Sequence, residues 1–377
     1  MQLDLAPEAD PRRLEIRDWL AANPDPTSDQ LAAAGWVAPR WPRPWGRNAD
    51  QITALIYHQE LERAKVTLPD NPIGVGWAGP TLLAGGTREQ QDRYFPGLLS
   101  GREHWCQLFS EPGAGSDLAG LRTRAVRDGD DYVINGQKVW STWAERSTFG
   151  ILLARTDFSC PKHKGISYFV MPMDSPGVTV RPIREMTGET HFNEVFFDDV
   201  RIPADNRIGA ENEGWALARV TLANERLNVS RGGVCWALGP TADDFFDLIR
   251  AQGGIADPLL RQRAAAIYAE KEILQVLDQR ILSSVAAGQD VGPEASIKKT
   301  FADEHAQRLM ELAKDLTGTA GMLEDQGPLG AAVDRWHWGF LFSRALTIGG
   351  GTSQVQRNML GERVLGLPAE PPPRMRG

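Results

Sequence analysis

Two short segments hold most of the chemistry this sequence can display. Gln107–Asp117 reads QLFSEPGAGSD. It is a glycine-rich turn with hydroxyls at Ser110 and Ser116 and with backbone N–H groups that small residues leave exposed. Such a turn can approach a flat ring or a phosphate closely. Further on, Ile134–Thr142 reads INGQKVWST, and Trp140 and Thr142 at the end of a strand could flank an aromatic group. Each segment has an ordinary reading when taken alone, a surface loop for the first and a core tryptophan for the second. A third candidate is the pair Glu225-Arg226, which in isolation reads as a solvated ion pair on a helix. The six histidines show no metal-ligand spacing and share no motif with Cys106, Cys160 or Cys235, so no metal site is expected. The odd number and wide spacing of the three cysteines read as reduced, packed thiols.

These residues need elements to position them, and the composition shifts twice along the chain. Residues 1–103 read as short helices broken by Pro and Gly, around Leu14–Leu20, Asp50–Ala64 and Arg88–Leu99. From about His104 the pattern is that of strands. Asp131–Ile134, Asn135-Gly136 and Gln137–Thr142 read as a hairpin, because Asn-Gly suits the turn dihedrals. Ile151–Ala154, Ile166–Met171, Val178–Ile183 and Glu194–Phe197 follow as short β-rich runs. After Asn212 the chain reads as long helices. The first spans Glu213 to Arg250, with Pro240 its one proline, and stops at Gly253-Gly254. The second starts at Asp257-Pro258 and carries Leu260, Ile267, Leu274 and Ile281 as one stripe. The third starts near Pro293 and lines up Ile297, Phe301, Leu309, Leu312 and Leu316. Such stripes read as core. The order helices, strands, helices places a β domain between two helical regions that are expected to pack as one body.

The bulk properties bound the function. A length of 377 residues suggests two or three structural units. The net charge of −8 argues against a general nucleic-acid surface, while leaving room for a local basic pocket. No run of 18 apolar residues is present, so no membrane span is expected. The start, MQLDLAPEADPRR, lacks an apolar signal core, and a cytoplasmic location is expected.

Taken together and in order, the two segments resemble the acyl-CoA dehydrogenase family. The resemblance continues in Phe192–Pro203 (FNEVFFDDVRIP), which looks like the strand closing that family's β domain. It also continues in Glu211–Trp215 (ENEGW), at the entry to the central helix, and in Arg344–Asn358 (RALTIGGGTSQVQRN) with Gly361–Gly366, the C-terminal signature. The resemblance implies an α+β chain: an N-terminal helical domain (1–103), a central barrel-like or sandwich-like β domain (104–211) and a C-terminal helical bundle (212–377). It implies FAD, with Gln107, Leu108 and Ser110 near the flavin edge, and Gly115 and Ser116 beside flavin and substrate phosphate or pantetheine. Trp140 and Thr142 would lie on the ring system, Thr352 and Gln354 toward the phosphate or adenine end, and Arg250 would match the arginine that reaches FAD in a neighbouring subunit. The implied reaction is α,β-dehydrogenation of an acyl-CoA, with electrons passing to an electron-transfer flavoprotein.

The family's usual base, a Glu just before the Gly-Thr of the C-terminal signature, is replaced by Gly350. A thioester α C–H is too weak an acid for a carboxylate in water. The base must therefore be desolvated, and the developing enolate must be stabilised by hydrogen bonds. A minority of the family carries the base in a Glu-Arg pair on the central helix. Glu225 is accordingly the expected base, Arg226 a substrate-side or orienting residue, and the Gly350 N–H an oxyanion contact. The three glycines at 349–351 also suggest a bulky acyl group, branched or sterol-like, as in Gly-rich variants of actinobacterial sterol catabolism. Two partner-facing motifs of the family are degraded: Arg250 lacks its following Phe-Gly, and Asp315 and Thr319 replace Gln and Gly. These point to a tetramer, more readily with a related chain than with itself. Two alternatives stay open: an acyl-CoA oxidase or nitroalkane-oxidase-like flavoenzyme, and an accessory subunit completing another chain's FAD site.

Overall fold

The computed structural model describes residues 6–229, 238–286, 295–319 and 330–369. The N-terminal helices are α1 (Pro11–Ala22), α2 (Ser28–Ala33), α3 (Gln51–Arg63), α4 (Gly79–Gly85) and α5 (Arg88–Ser100). Their starts are set by side-chain caps. Asp50 accepts from the Thr53 N–H at 2.8 Å, and Thr27 and Thr87 each form a reciprocal pair with a Gln three residues on. The helices share a core that includes Ile16, Leu31, Trp36, Tyr57, Phe95 and Leu98. Glu60 is buried on α3 because Arg13 and Arg17 meet its two oxygens at 2.5 and 2.6 Å.

Eight strands form one mixed sheet: β1 (Trp105–Leu108), β2 (Arg124–Asp128), β3 (Asp131–Thr142), β4 (Phe149–Arg155), β5 (Ile166–Pro172), β6 (Val178–Ile183), β7 (Phe192–Pro203) and β8 (Arg207–Ile208). Their order is β6-β7-β3-β2-β4-β5-β8, with β1 added parallel to β4. Strand β4 is buried on both faces, and its alternation divides two cores. Ile151 and Leu153 join the N-terminal helices, whereas Leu152 and Ala154 join Leu108, Tyr132, Phe169, Val195 and Val200 in a second apolar filling. Strands from β1 to β7 feed that filling, so the sheet curls around it.

Asn135-Gly136 is not a hairpin turn. Strand β3 runs through it unbroken, and the β2–β3 turn lies at Gly129-Asp130. The pair instead marks a register shift between β3 and β7. Asn135 exchanges two hydrogen bonds with Asp199, at 2.9 and 3.0 Å. Gly136 has φ +152°, and a Cβ there would stand 2.6–2.9 Å from Thr123. Glycine is required by close backbone approach in a bulge rather than by a turn. The dipeptide has the same signature in both settings, which is why the sequence misleads.

Beyond the sheet lie α6 (Gly214–Val229), α7 (Ala242–Ala251), α8 (Pro258–Ala286), α9 (Ala295–Thr317), α10 (Gly330–Leu346) and α11 (Ser353–Met359). The helix expected from Glu213 to Arg250 is two helices, and Thr241 caps the second just after Pro240. Ile267 and Leu274 are buried on α8, as their stripe requires, and Leu309 and Leu312 on α9. Ile297 is 36% exposed and lies off the α9 core face. The chain forms two compact units. One contains the N-terminal helices, the sheet and α6 as far as Asn224, and the other contains residues 186–189 and 225–377.

Candidate active site

The first unit presents an unusual tryptophan. The β3–β7 register shifts again between Lys138 and Ser141. Within that bulge Trp140 has φ +61° and is 59% exposed. A left-handed backbone is rare for a bulky side chain and costs on the order of 1–3 kcal/mol, so it persists only where its surroundings enforce it. The alternation of a regular strand would put residue 140 on the same side as Lys138, which is fully buried. The left-handed residue reverses that direction and turns the indole outward, edge-on to Phe192 at 6.0 Å. The core-tryptophan reading therefore fails. Thr142 lies two residues on, opposite Phe192 on β7.

The glycine-rich turn lies against this bulge. The Ser110 carbonyl accepts the Val139 N–H at 2.9 Å, and Glu111 and Ala114 exchange backbone hydrogen bonds at 3.0 and 3.1 Å. A Cβ added at Gly113 or Gly115 would meet nothing within 4 Å, so the turn faces open space. Ser116 is exposed. The Leu108 side chain is buried in the inner filling, so only its backbone is available to a ligand. Gln107 precedes it on β1.

Beneath the turn, the Glu111 carboxylate accepts from the Arg122 and Thr123 N–H groups at 2.6 and 2.8 Å and from Lys138 Nζ at 2.8 Å. Lys138 Nζ also donates to the Phe109 carbonyl at 2.9 Å. Burial pushes the Lys138 ammonium down to about 8, against the pull of Glu111. Buried Arg155 donates to the carbonyls of Leu121, Ala119, Lys162 and Lys164 at 2.7–3.1 Å. It stitches the segment after the turn to the β4–β5 loop. An outward aromatic face, an open glycine turn and a pinned carbonyl fit a planar ring such as isoalloxazine.

Helix α6 carries the next group. Gly214, Ala218 and Thr221 are buried, whereas Ala216, Arg219 and Ala223 are exposed. Buried Thr221 Oγ1 lies 2.8 Å from Thr81 Oγ1 on α4 and 3.0 Å from the Tyr168 hydroxyl on β5. Glu225 lies one turn beyond Thr221 on the same stripe and is half-buried. It is therefore off the fully solvated face. The Arg226 side chain and all of Cys235 lie outside the described residues.

In the second unit, the turn between α10 and α11 contains Gly350 at φ +64° and Gly351 at φ +89°. Both lie in the left-handed region that favours glycine, so backbone geometry accounts for them without reference to substrate volume. Lys299 on α9 is 1% exposed, and its Nζ donates to the Leu346 and Gly351 carbonyls at 3.0 and 2.7 Å. It forms an ion pair at 2.6 Å with Asp303, whose carboxyl burial pushes up to about 6. Gln356 Nε2 donates to the Gly350 carbonyl at 3.2 Å. Thr352 caps α11 through the Val355 N–H at 3.2 Å, and Gln354 is exposed on its first turn. Gly350, Thr352 and Gln354 thus share one pinned turn. Arg250 is exposed at the end of α7 and is ion-paired to Asp247, and Asp315 is paired to Arg263 at 2.5 Å.

Sequence reasoning missed Glu111, Lys138, Thr221, Lys299 and Asp303. The signal was present only for the first two, as opposite charges in the two motif segments. Among the described residues no group of His, Cys, Asp and Glu could hold a metal ion, and no helix is long and apolar enough to cross a membrane.

Three family models match the chain in order: the acyl-CoA dehydrogenase N-terminal domain over residues 5–102, the middle domain over 106–200 and the C-terminal domain over 212–365. The chain belongs to the acyl-CoA dehydrogenase family of oxidoreductases, a flavin-dependent family. It is 43% identical over 339 residues to acyl-CoA dehydrogenase FadE34 of Mycobacterium tuberculosis, covering 90% of this chain and 45% of that protein. The chain thus spans less than half the length of that relative. It is 40% identical to acyl-CoA dehydrogenase IpdE1 of the same organism, covering 91% of this chain and 88% of IpdE1. Among solved structures it is similar to the Tcur3481-Tcur3483 steroid ACAD, with a TM-score of 0.80 and 29% identity over 98% of this chain and 100% of that chain. It is also similar to the ChsE4-ChsE5 complex from Mycobacterium tuberculosis, with a TM-score of 0.77 and 31% identity over 98% and 100%.

Proposed function

We propose that this chain removes hydrogen from carbons α and β of a bulky acyl-CoA thioester, with FAD as its cofactor. The observation that carries the reading is Trp140, held outward in a left-handed conformation beside the open turn at Gly113–Ser116. FAD, when bound, supplies the acceptor for the hydride from the β carbon. Trp140 offers a stacking face, and Gln107, Leu108, Ser110 and Thr142 offer backbone and hydroxyl contacts to the ring. Gly115 and Ser116 admit flavin and the substrate's phosphate or pantetheine, Thr352 and Gln354 serve the phosphate or adenine end, and Arg250 faces FAD in a neighbouring subunit. Glu225 takes the α proton, the Gly350 N–H donates to the thioester oxygen, and Arg226 orients the base or contacts CoA. The electrons leave to an electron-transfer flavoprotein. The domain order of this reading is 1–103, 104–211 and 212–377.

A bulky, sterol-derived acyl group is supported by the steroid ACAD among the similar structures, whose name also joins two chains. The left-handed Gly350 and Gly351 supply an independent reason for the glycines, so that support rests on the relatives. The test is absorbance. The purified protein, alone and with its related chain, should show a flavin spectrum that bleaches anaerobically with a steroid side-chain CoA thioester faster than with butyryl-CoA. A flavin-free protein in both preparations, or equal bleaching by butyryl-CoA, overturns the respective part.

A further inference from the structure

Lys138 and Glu111 come from the two segments in which the sequence carries its chemistry, yet the reaction as proposed uses neither. Lys138 is 0% exposed and Glu111 9%. Together they join Phe109, Arg122, Thr123 and each other through four hydrogen bonds of 2.6–2.9 Å. The pair thus closes the base of the glycine-rich turn onto β3. Two residues beyond Lys138, the strand reverses the direction of its side chains at Trp140. The far side of that bulge is fixed separately, where buried Asn193 donates to the Ser141 carbonyl at 3.1 Å. The bulge is therefore gripped on both flanks, and the Val139 N–H to Ser110 carbonyl bond lies at its centre.

We infer that the buried Glu111–Lys138 pair is a positioning clamp that holds Trp140 in its outward, left-handed conformation and fixes the Ser110 carbonyl beside it. It thereby preforms the wall on which the flavin ring rests. Glu111 and Lys138 touch neither cofactor nor substrate in this reading. They act through Trp140 and Ser110, and the inference rests on the flavin reading above. A buried ion pair is weak evidence for stability, since an apolar pair of similar size packs about as well, but it can impose one geometry. Here the geometry imposed is a strained one, which an apolar pair has no directed bonds to enforce.

The test is the full-length Glu111→Gln/Lys138→Met variant, which removes both charges together and leaves no unpaired buried ion. Two measurements are needed: amide hydrogen exchange of the apoprotein, and FAD affinity together with the visible circular dichroism of the bound flavin. The clamp requires the Val139, Arg122 and Thr123 amides to exchange at least about 10-fold faster while the β4–β5 ladder keeps its protection. It also requires FAD to dissociate at least about 10-fold more readily, with an altered flavin dichroism. A folded variant that keeps FAD affinity and dichroism within about two-fold of wild type overturns the clamp but leaves the flavin reading standing. A wild-type protein that binds no FAD under any condition overturns both. Should the double variant not fold, Lys138→Met alone decides by the same measurements. Glu111 keeps its Arg122 and Thr123 N–H donors and can take up a proton, so no buried ion is stranded. The Lys138 bonds to Phe109 and Glu111 are lost, and the Val139 and FAD effects are required in smaller degree.

Discussion

Glu225 is proposed as the base and the Gly350 N–H as the donor to the thioester oxygen, and the role of Glu225 is open to a direct test. Glu225 lies on the buried stripe of α6 one turn past Thr221, so its carboxylate is not confined to the solvated face. Glu225→Gln keeps shape and removes basicity. Anaerobic flavin reduction by substrate should slow by about 10²–10⁴-fold or more, with FAD content unchanged. Near wild-type reduction would place the base elsewhere. Gly115 separates structure from binding, because a Cβ there meets no protein atom. Gly115→Ala should unfold within about 0.5 kcal/mol of wild type yet weaken FAD or acyl-CoA binding, as read by titration. Unchanged binding would remove Gly115 from the site. Asp303 gives a pH signature. Burial raises its carboxyl from 3.8 to about 6, so the protonated form favours the folded state. That contribution is fully present below about 4 and is lost as pH rises through about 6. Thermal unfolding at pH 4.5 and 7.5 should therefore show wild type losing more stability than Asp303→Asn over that interval. Equal losses would mean that Lys299 compensates the charge in full.

At the scale of elements, periodicity and end signals were legible, whereas contacts between elements were not. Strand β6 was expected at Val178–Ile183 and forms there, because alternation and flanking turns define it locally. The short strands β1 and β2 carry no such local signal. They are strands because β4 and β3 pair with them. The same limit explains the site. Trp140 and Ser116 could be picked out from motifs, but the left-handed bulge that aims Trp140 depends on a lysine buried 27 residues away in sequence from its carboxylate. Lys299 likewise reaches the Gly351 carbonyl across 52 residues. Gly136 shows how a local signal can be right about the residue and wrong about its setting. In a hairpin turn, alanine would be tolerated poorly for its φ alone. In this bulge it also meets Thr123 backbone and side-chain atoms at 2.6–2.9 Å. Gly136→Ala should cost about 1–3 kcal/mol, read as a lowered denaturant midpoint with an unchanged slope. A midpoint equal to wild type would mean that the β3–β7 shift relaxes freely.

At the scale of the whole molecule, the open question is how many of these sites one chain completes. The residues proposed for flavin and for the proton all belong to this chain, which favours the reading that it keeps a catalytic half of its own. The departures from the family pattern lie at Asp315 and Thr319 and after Arg250, on elements that the family resemblance would place against a partner's cofactor site. Arg250 is exposed and paired with Asp247, and Asp315 is paired with Arg263. A side chain held in a local ion pair must give up that pair before it can serve a neighbour's phosphate. An exposed pair is worth only about 0–1 kcal/mol, so the pairing disfavours that use without forbidding it. The expected assembly is a tetramer with a related acyl-CoA dehydrogenase chain, in which this chain keeps its own catalytic half and the other chain supplies what the degraded motifs no longer can. Light scattering with flavin quantitation checks this. Expressed alone, the chain should give a smaller or heterogeneous species with well under one FAD per chain. Coexpression with the related chain should give a defined tetramer with higher flavin occupancy. A stable homotetramer holding one FAD per chain would show that Asp315, Thr319 and the missing Phe are compensated within this chain, and the heteromeric assembly would be abandoned.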